Sequence, residues 1–406
     1  MRIAYTKIQK LTERTAFFCT SMPIIFLLML SACSSGPEIE IPEEIAALEN
    51  LQVIPVDAEP MHDIELDRVA RFGDTDDVMF GRLGMSSVGD DGRIYIADGS
   101  QNVIHAYGSD GTHLSQIGRE GDGPGEFRQI RNLQVEGDRL HIMDMRTMRI
   151  STYNLNDYRF VSDLAIQFEF NFTGGFSSFP GIIYLYDADH FLVHFTISYS
   201  SGASSRDETP MEHGKLLSRS DGSFSEEKLY EFRSSETLIK DEGTSMYMMG
   251  VDYKRGTQHM VTDDQLIWGW TEDLLFKIHD MDGNYVSAIY QPFDNIPLNR
   301  SEVVSQYADR DEPWRSMVRN DVMPETWPAF SSAKADDEGR IWAAVYAEDD
   351  EIWNWRVFTQ DGELYASFDW PRDIQIRDIK NDHIYTRETD EETGLVEIVK
   401  YRIILD

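Results

Sequence analysis

Apolar positions in this chain fall into short runs bounded by turns of Gly and Asp. Runs of this kind read as β-strands. Strand-like runs at 94–98, 103–107 and 114–117 are followed by the same order at 140–144, 149–153 and 160–166. The offset, Arg93 to Arg139, is about 46 residues, the period of a propeller blade. Between the two units lies a loop of sequence GREGDGPGEF, from Gly118 to Phe127.

Comparable groups of runs continue to the C-terminus: 190–195 with 214–218 and 228–232, 266–270 with 274–279 and 285–290, 341–345 with 355–359 and 364–370, and 374–379 with 383–387 and 396–405. That makes about six units, each too small to bury its own faces alone. The last unit lacks an outermost strand. A run at 63–72 is expected to supply it and so to protect the open edge. Two segments break the repeat. Residues 196–213 are expected to form a long loop in the third unit, and 297–325 reads as helical, with Ser301 as a cap and a second short helix at 314–318. The expectation is an all-β protein, a six-bladed β-propeller over 61–406, with a small helical insertion (297–325) between the fourth and fifth blades.

The N-terminus adds an address. Arg2, Lys7, Lys10 and Arg14 precede an apolar stretch at 23–30 that is short for a spanning helix, and the stretch ends in Leu30-Ser31-Ala32-Cys33. This resembles the lipobox of bacterial lipoproteins, with 1–32 as signal peptide and Cys33 as the lipid attachment site. Ser34 fits outer-membrane sorting in a Gram-negative bacterium. Residues 33–60, rich in Ser, Pro and Glu, are expected to be a flexible tether. Cys19 lies in the part that would be removed, so the processed chain has no disulfide.

The chain holds 37 Lys+Arg against 72 Asp+Glu, a net charge of −35. Removal of 1–32 takes four basic residues and one acidic one, leaving about −38. Such a surface repels nucleic acid and anionic lipid head groups. It suits cations, basic partners or solubility in salt.

The Gly118–Phe127 loop, the runs at 94–98 and 140–144, and the stretch Pro324 to Trp342 resemble the NHL-type six-bladed β-propellers, above all the bacterial lipoprotein group called 6-bladed β-propeller. The resemblance covers about 62–406. It implies an exported ring-shaped protein, and its motif marks fold rather than chemistry. Six-bladed relatives include calcium-dependent lactonases and metal-dependent lyases, in which a metal in the funnel activates water or polarises a carbonyl.

The chemical candidates are sparse. The glycines of the 118–127 loop superficially match a dinucleotide fingerprint, but a strand-like run follows where a phosphate-binding helix would be needed. His190 and His194 have helical metal-ligand spacing, yet four residues of strand span about 13 Å, too far for one ion. Asp98 and Asp144 close equivalent strands and are expected to bond to turn backbone or to an Arg such as Arg149. No Gly-x-Ser-x-Gly elbow is present. In this architecture the loops between second and third strands share a face with the inter-blade loops. That places Trp270, Glu272, Asp273, Asp349, Asp350, Arg119 and Asp122 around one mouth of the funnel. Their carboxylates would suit Ca²⁺ or dock a basic partner. The expected role is an envelope binding scaffold for a small molecule, glycan or protein, and not for nucleic acid; the alternative is a Ca- or Zn-dependent lactonase- or lyase-like enzyme.

Overall fold

A computed structural model describes residues 41–74, 78–169, 176–199 and 210–406. Cys33 and the 1–32 segment lie outside the described residues.

Six antiparallel sheets follow one another along the chain. Blade one is built from Leu83–Val88, Ile94–Asp98, Val103–Tyr107 and His113–Ile117, and blade two from Ile130–Glu136, Arg139–Asp144, Arg149–Asn154 and Phe160–Ala165. Blade three comprises Phe176–Leu185, His190–Tyr199, Met211–Ser218 and Tyr230–Arg233. Blade four comprises Thr257–Val261, Gln265–Trp270, Leu275–Asp280 and Tyr285–Tyr290. Blade five has Phe330–Ala335, Ile341–Tyr346, Ile352–Phe358 and Leu364–Pro371. Blade six has Gln375–Lys380, His383–Thr389 and Val396–Leu405, and its outermost strand is His62–Phe72, from the far end of the chain. The molecule is a six-bladed β-propeller.

Alternation along a strand sends side chains to both faces of a blade, and here both faces are covered. All five residues of Ile94–Asp98 and all five of Val103–Tyr107 are buried. The apolar residues sort into one cluster per junction: Tyr95 with Phe127 and Leu140 between blades one and two, Met143 with Phe191 between two and three, and Leu192 with Leu266 between three and four. Ile267 with Phe330 fills the next junction, Trp342 with Ile384 the fifth, and Phe72 with Tyr107 and Tyr385 the last. The ring is held by these side-by-side contacts, as expected of sheets that cannot bury their faces alone.

The expected closing strand is present. Ile64 to Phe72 pairs antiparallel with Leu405 to Ile398, and His62 and Asp63 also reach Ala366 and Ser367 of blade five. The expected tether is corrected by the structure from Ile41 onward. Leu51–Val53 adds as a parallel fifth strand to blade four, and Ile45 and Ile54 are buried. Two buried isoleucines and a strand edge are enough to dock a segment whose composition reads as a linker.

The loop expected at 196–213 is corrected at both ends, where Thr196 to Tyr199 and Met211 to His213 pair as strand; residues 200–209 lie outside the described residues. The helical insertion is present as Arg300–Gln306 and Trp314–Asn320. Its cap is Asn299 rather than Ser301: the Asn299 side chain accepts the Ser301 backbone N–H and donates to Glu302, the pairing a helix start favours.

The glycine-rich loop is an inter-blade turn. Arg119–Glu120 pairs parallel with Glu126–Phe127. Gly118 has φ +72, and a Cβ there would meet the Phe127 ring at 2.2 Å, so only glycine fits. Asp98 and Asp144 do equivalent work in blades one and two. Asp98 accepts the backbone N–H groups of Gly81, Ser100 and Gln101, and Asp144 those of Arg128, Gln129, Arg146 and Thr147. Each ties the inter-blade loop to the turn after the second strand. Arg149 instead pairs with Asp163 at 3.4 Å.

Candidate functional site

In an antiparallel four-stranded blade, the turn after the second strand and the connection to the next blade emerge on the same face, here called the upper face. Two of those connections are enlarged. Between blades three and four the chain makes a hairpin, Leu238–Asp241 with Met246–Met249. Between blades four and five it makes the two short helices. Their apolar sides share one core, in which Leu238, Val251, Tyr253, Val303, Met317 and Val318 are buried, and the Tyr247 and Trp314 rings meet edge-on at 5.7 Å. The two insertions together form one lobe. The hairpin was missed in sequence because its strands are short and lack clear alternation.

Arg255 fastens the lobe to the ring. Its guanidinium is buried, ion-paired with Glu272. It donates to the carbonyls of Tyr253 at 3.1 Å and Thr326 at 2.8 Å, and to Thr326 Oγ1 at 2.9 Å. One side chain thus joins the hairpin's return strand, the turn of blade four and the end of the helical insertion. The planar fork of arginine suits this task.

Two adjoining hollows lead from the lobe toward the ring and are treated as one cleft. Its outer part, about 640 Å³, lies between Glu236 to Lys240 on one side and Ser316, Met317, Asn320 and Asp321 of the second helix on the other. Its inner part, about 220 Å³, reaches Gln258, Phe330 and Ser331 on the innermost strands of blades four and five. Glu236 and Lys254 line both parts. Lys254 Nζ pairs with Asp321 at 2.8 Å. Glu236 accepts from Arg233 at 2.8 Å and from the Arg255 backbone N–H at 3.3 Å. Burial, with Asp321 nearby, raises the Tyr253 hydroxyl above its ordinary range, so it stays protonated. The walls are therefore fixed, with an apolar floor of Leu238 and Met317 and charged groups held at its edge. Such a mixture of apolar lining and few oriented polar groups is what ligand sites share.

The rim residues expected from sequence divide into three places. Trp270, Glu272 and Asp273 lie beside the cleft. The Arg233 guanidinium sits 4.4 Å from the Trp270 ring centroid, Glu272 is taken by Arg255, and the Asp273 carboxyl is pushed up by burial and by the charges of Glu272 and Glu44. Asp349 and Asp350 belong to the blade-five turn, where Asp349 accepts the Glu351 N–H at 2.9 Å and Arg372 packs 4.2 Å from the Trp353 ring centroid. Arg119 and Asp122 belong to the glycine-rich loop and pair with Glu126 at 2.5 Å and Arg128 at 2.7 Å. Asp122 and Asp349 are thus held within their own loops and Glu272 by Arg255 of the preceding inter-blade segment, so the acids are not gathered on one point. Among the described residues no group of three His, Cys, Asp or Glu is placed to hold a metal ion. His190 bonds to Asp187, and His194 to Glu212 and Tyr230.

A family model described as a 6-bladed beta-propeller matches residues 73–266. The chain is similar to a Bacteroides vulgatus protein of the DUF4221 family, with TM-score 0.51 and 10% identity over 85% of this chain and 99% of that one. It is also similar to a Bacteroides fragilis protein designated as exported, with TM-score 0.48 and 10% identity over 87% and 100% of the two chains. A third similar structure is the calcium-binding protein regucalcin from Agrobacterium tumefaciens, with TM-score 0.39 and 9% identity over 86% and 96%. At these identities the likeness is one of fold. No curated protein matches the chain.

Proposed function

We propose that this six-bladed β-propeller is an exported, lipid-anchored binding scaffold of the cell envelope, which takes its ligand in the cleft that leads from the lobe to the ring. The observation that carries the reading is that two adjoining hollows, one within the lobe and one against the ring, share Glu236 and Lys254 in their walls. Its size suits a small molecule, a short glycan or a peptide end. The walls come from different blades and insertions that Arg255 locks together, so little ordering is needed on binding.

The address rests on the N-terminal sequence. A basic start, a short apolar stretch and Leu30-Ser31-Ala32-Cys33 support lipid attachment at Cys33, and Ser34 supports delivery to the outer membrane. No helix among the described residues is long and apolar enough to cross a membrane.

The cleft is tested by thermal melting against neutral oligosaccharides and short peptides, comparing the natural protein with Asn320→Trp, which fills the outer part. A saturable rise in Tm that Asn320→Trp abolishes supports the reading. A panel that shifts neither protein, or both equally, overturns it. The address is tested by palmitate labelling of cells expressing Cys33→Ala, which is expected to lose the label and leave the membrane fraction.

A further inference from the structure

The innermost strands of blades five and six, Phe330–Ala335 and Gln375–Lys380, lie side by side along the ring axis. They carry a group of cations. The blade-six strand has a register shift between Ile376 and Asp378, and such a bulge re-aims the side chain it inserts. Here that residue is Arg377, whose guanidinium crosses to blade one and donates to the Gly84 carbonyl at 2.9 Å. Arg387 stands opposite Gln375 in the next strand. It is half-buried, and Arg377 and Arg387 are close enough to repel one another. Lys334, on the blade-five strand, is held away from full solvent and feels the repulsion of Arg377.

These groups lack the counter-charges found elsewhere in the molecule. Arg340 pairs with Asp336 at 2.6 Å, Arg219 with Glu136 at 2.8 Å, and Arg255 with Glu272. Among the described residues, neither the Lys334 ammonium nor the Arg387 guanidinium makes a hydrogen bond or an ion pair. The carboxylate that acts on both Lys334 and Arg377 is Asp378. Its own carboxyl is pushed up by burial, which weakens it as a counter-charge. A chain of net charge −35 has carboxylates to spare, yet among the described residues none forms an ion pair with Lys334, Arg377 or Arg387. Sheltered cations without partners are costly, and guanidinium forks match the geometry of oxyanions.

The geometry points to a second ligand site, separate from the lobe cleft: a small oxyanion, phosphate or carboxylate in class, bound by Arg377, Arg387 and Lys334 beside the ring axis between blades five, six and one.

The test is melting of the natural protein with inorganic phosphate, acetate or chloride at equal ionic strength, repeated with Arg387→Gln and Lys334→Met. The expected result is a saturable rise in Tm with phosphate or acetate over chloride, with half-saturation weakened at least tenfold in Arg387→Gln and in Lys334→Met. Each variant is first shown to keep the circular dichroism of the natural protein; should one not fold, the other reads the site. Equal melting in all three salts overturns the inference, and so does an undiminished shift in a folded variant. A preference for phosphate over acetate, or the reverse, identifies which oxyanion the site takes.

Discussion

The imidazole rings of His194 and His259 pack across the junction of blades three and four with centroids 4.0 Å apart. His194 is held between Glu212 at 2.9 Å and the Tyr230 hydroxyl at 3.1 Å, and His259 lies 3.0 Å from the Tyr184 hydroxyl. Burial, and then the neighbouring His194, push the His259 imidazole far below the ordinary histidine range. Burial does the same to His213 and His279, each brought down to about 4. Burial thus favours the neutral form of His259, His213 and His279.

Acid is therefore expected to weaken this junction. Above about pH 6.5 these rings are neutral in both folded and unfolded chains and pH has no effect through them. As pH falls from about 6.5 to about 4, the unfolded chain takes up protons that the folded one refuses, so stability is lost across that window. Buried carboxyls such as Asp273 and Glu397, pushed up by burial, act in the opposite direction. The comparison that isolates the histidines is His279→Phe, which keeps the stack on Trp268 at 3.7 Å and removes one titrating ring. Its Tm is expected to fall less steeply between pH 6.5 and 4 than that of the natural protein; an identical slope would refute the assignment.

Loss of the Arg255 fork is expected to free the lobe before the ring. Arg255→Met leaves Glu272 and the Thr326 carbonyl without their donor, at a cost of about 2–3 kcal/mol, below the full value for a buried pair because Glu272 is partly exposed. Limited proteolysis should then cut within 297–325 while the blades stay intact. Uniform cleavage throughout the chain would count against a separable lobe.

Phe72 ends the closing strand and is fully buried against Tyr107 and Tyr385, at centroid distances of 6.0 and 6.4 Å. Phe72→Ala is expected to cost about 3–5 kcal/mol, read as a lower denaturant midpoint with unchanged slope. A loss under 1 kcal/mol would mean that the last junction contributes little to holding the ring.

Calcium is expected to give no saturable stabilisation through the rim acids. Glu272, Asp349 and Asp122 already accept from Arg255, the Glu351 N–H and Arg128, and an ion would have to displace those partners. A melt of chelator-treated protein with Ca²⁺ returned at fixed ionic strength checks this. Micromolar half-saturation would show that the acids rearrange to form a metal site.

The blades were legible in sequence because their signals are local. Short apolar runs at Ile94 to Asp98 and again at Leu140 to Asp144, each closed by Asp, and glycines at turns, mark strands whatever lies across from them. The closing strand was legible for a topological reason: the last unit had three strands. The docking of 41–60 was not, since it rests on Ile45 and Ile54 in otherwise linker-like sequence. Nor was the candidate cleft. Glu236, Lys254 and Arg255 lie in a segment with no repeat signal, and only the joint core of two insertions far apart in sequence brings them to the helices. Asp122, Glu272, Asp273, Asp349 and Asp350 lie in turns, but sequence could not show which groups each would meet.

The closing strand also sets an order of events. Ile64 pairs with Leu405, so the pairing that completes blade six joins positions 341 residues apart. A ribosome makes the first of these long before the second, and loop closure over such a distance is slow and entropically costly. Throughout synthesis the His62–Phe72 strand stays without its partner, and the nascent chain carries an open edge able to recruit strands from other molecules. The ring therefore becomes a ring last. Its most exposed interval is the one before Val396–Leu405 reaches His62–Phe72.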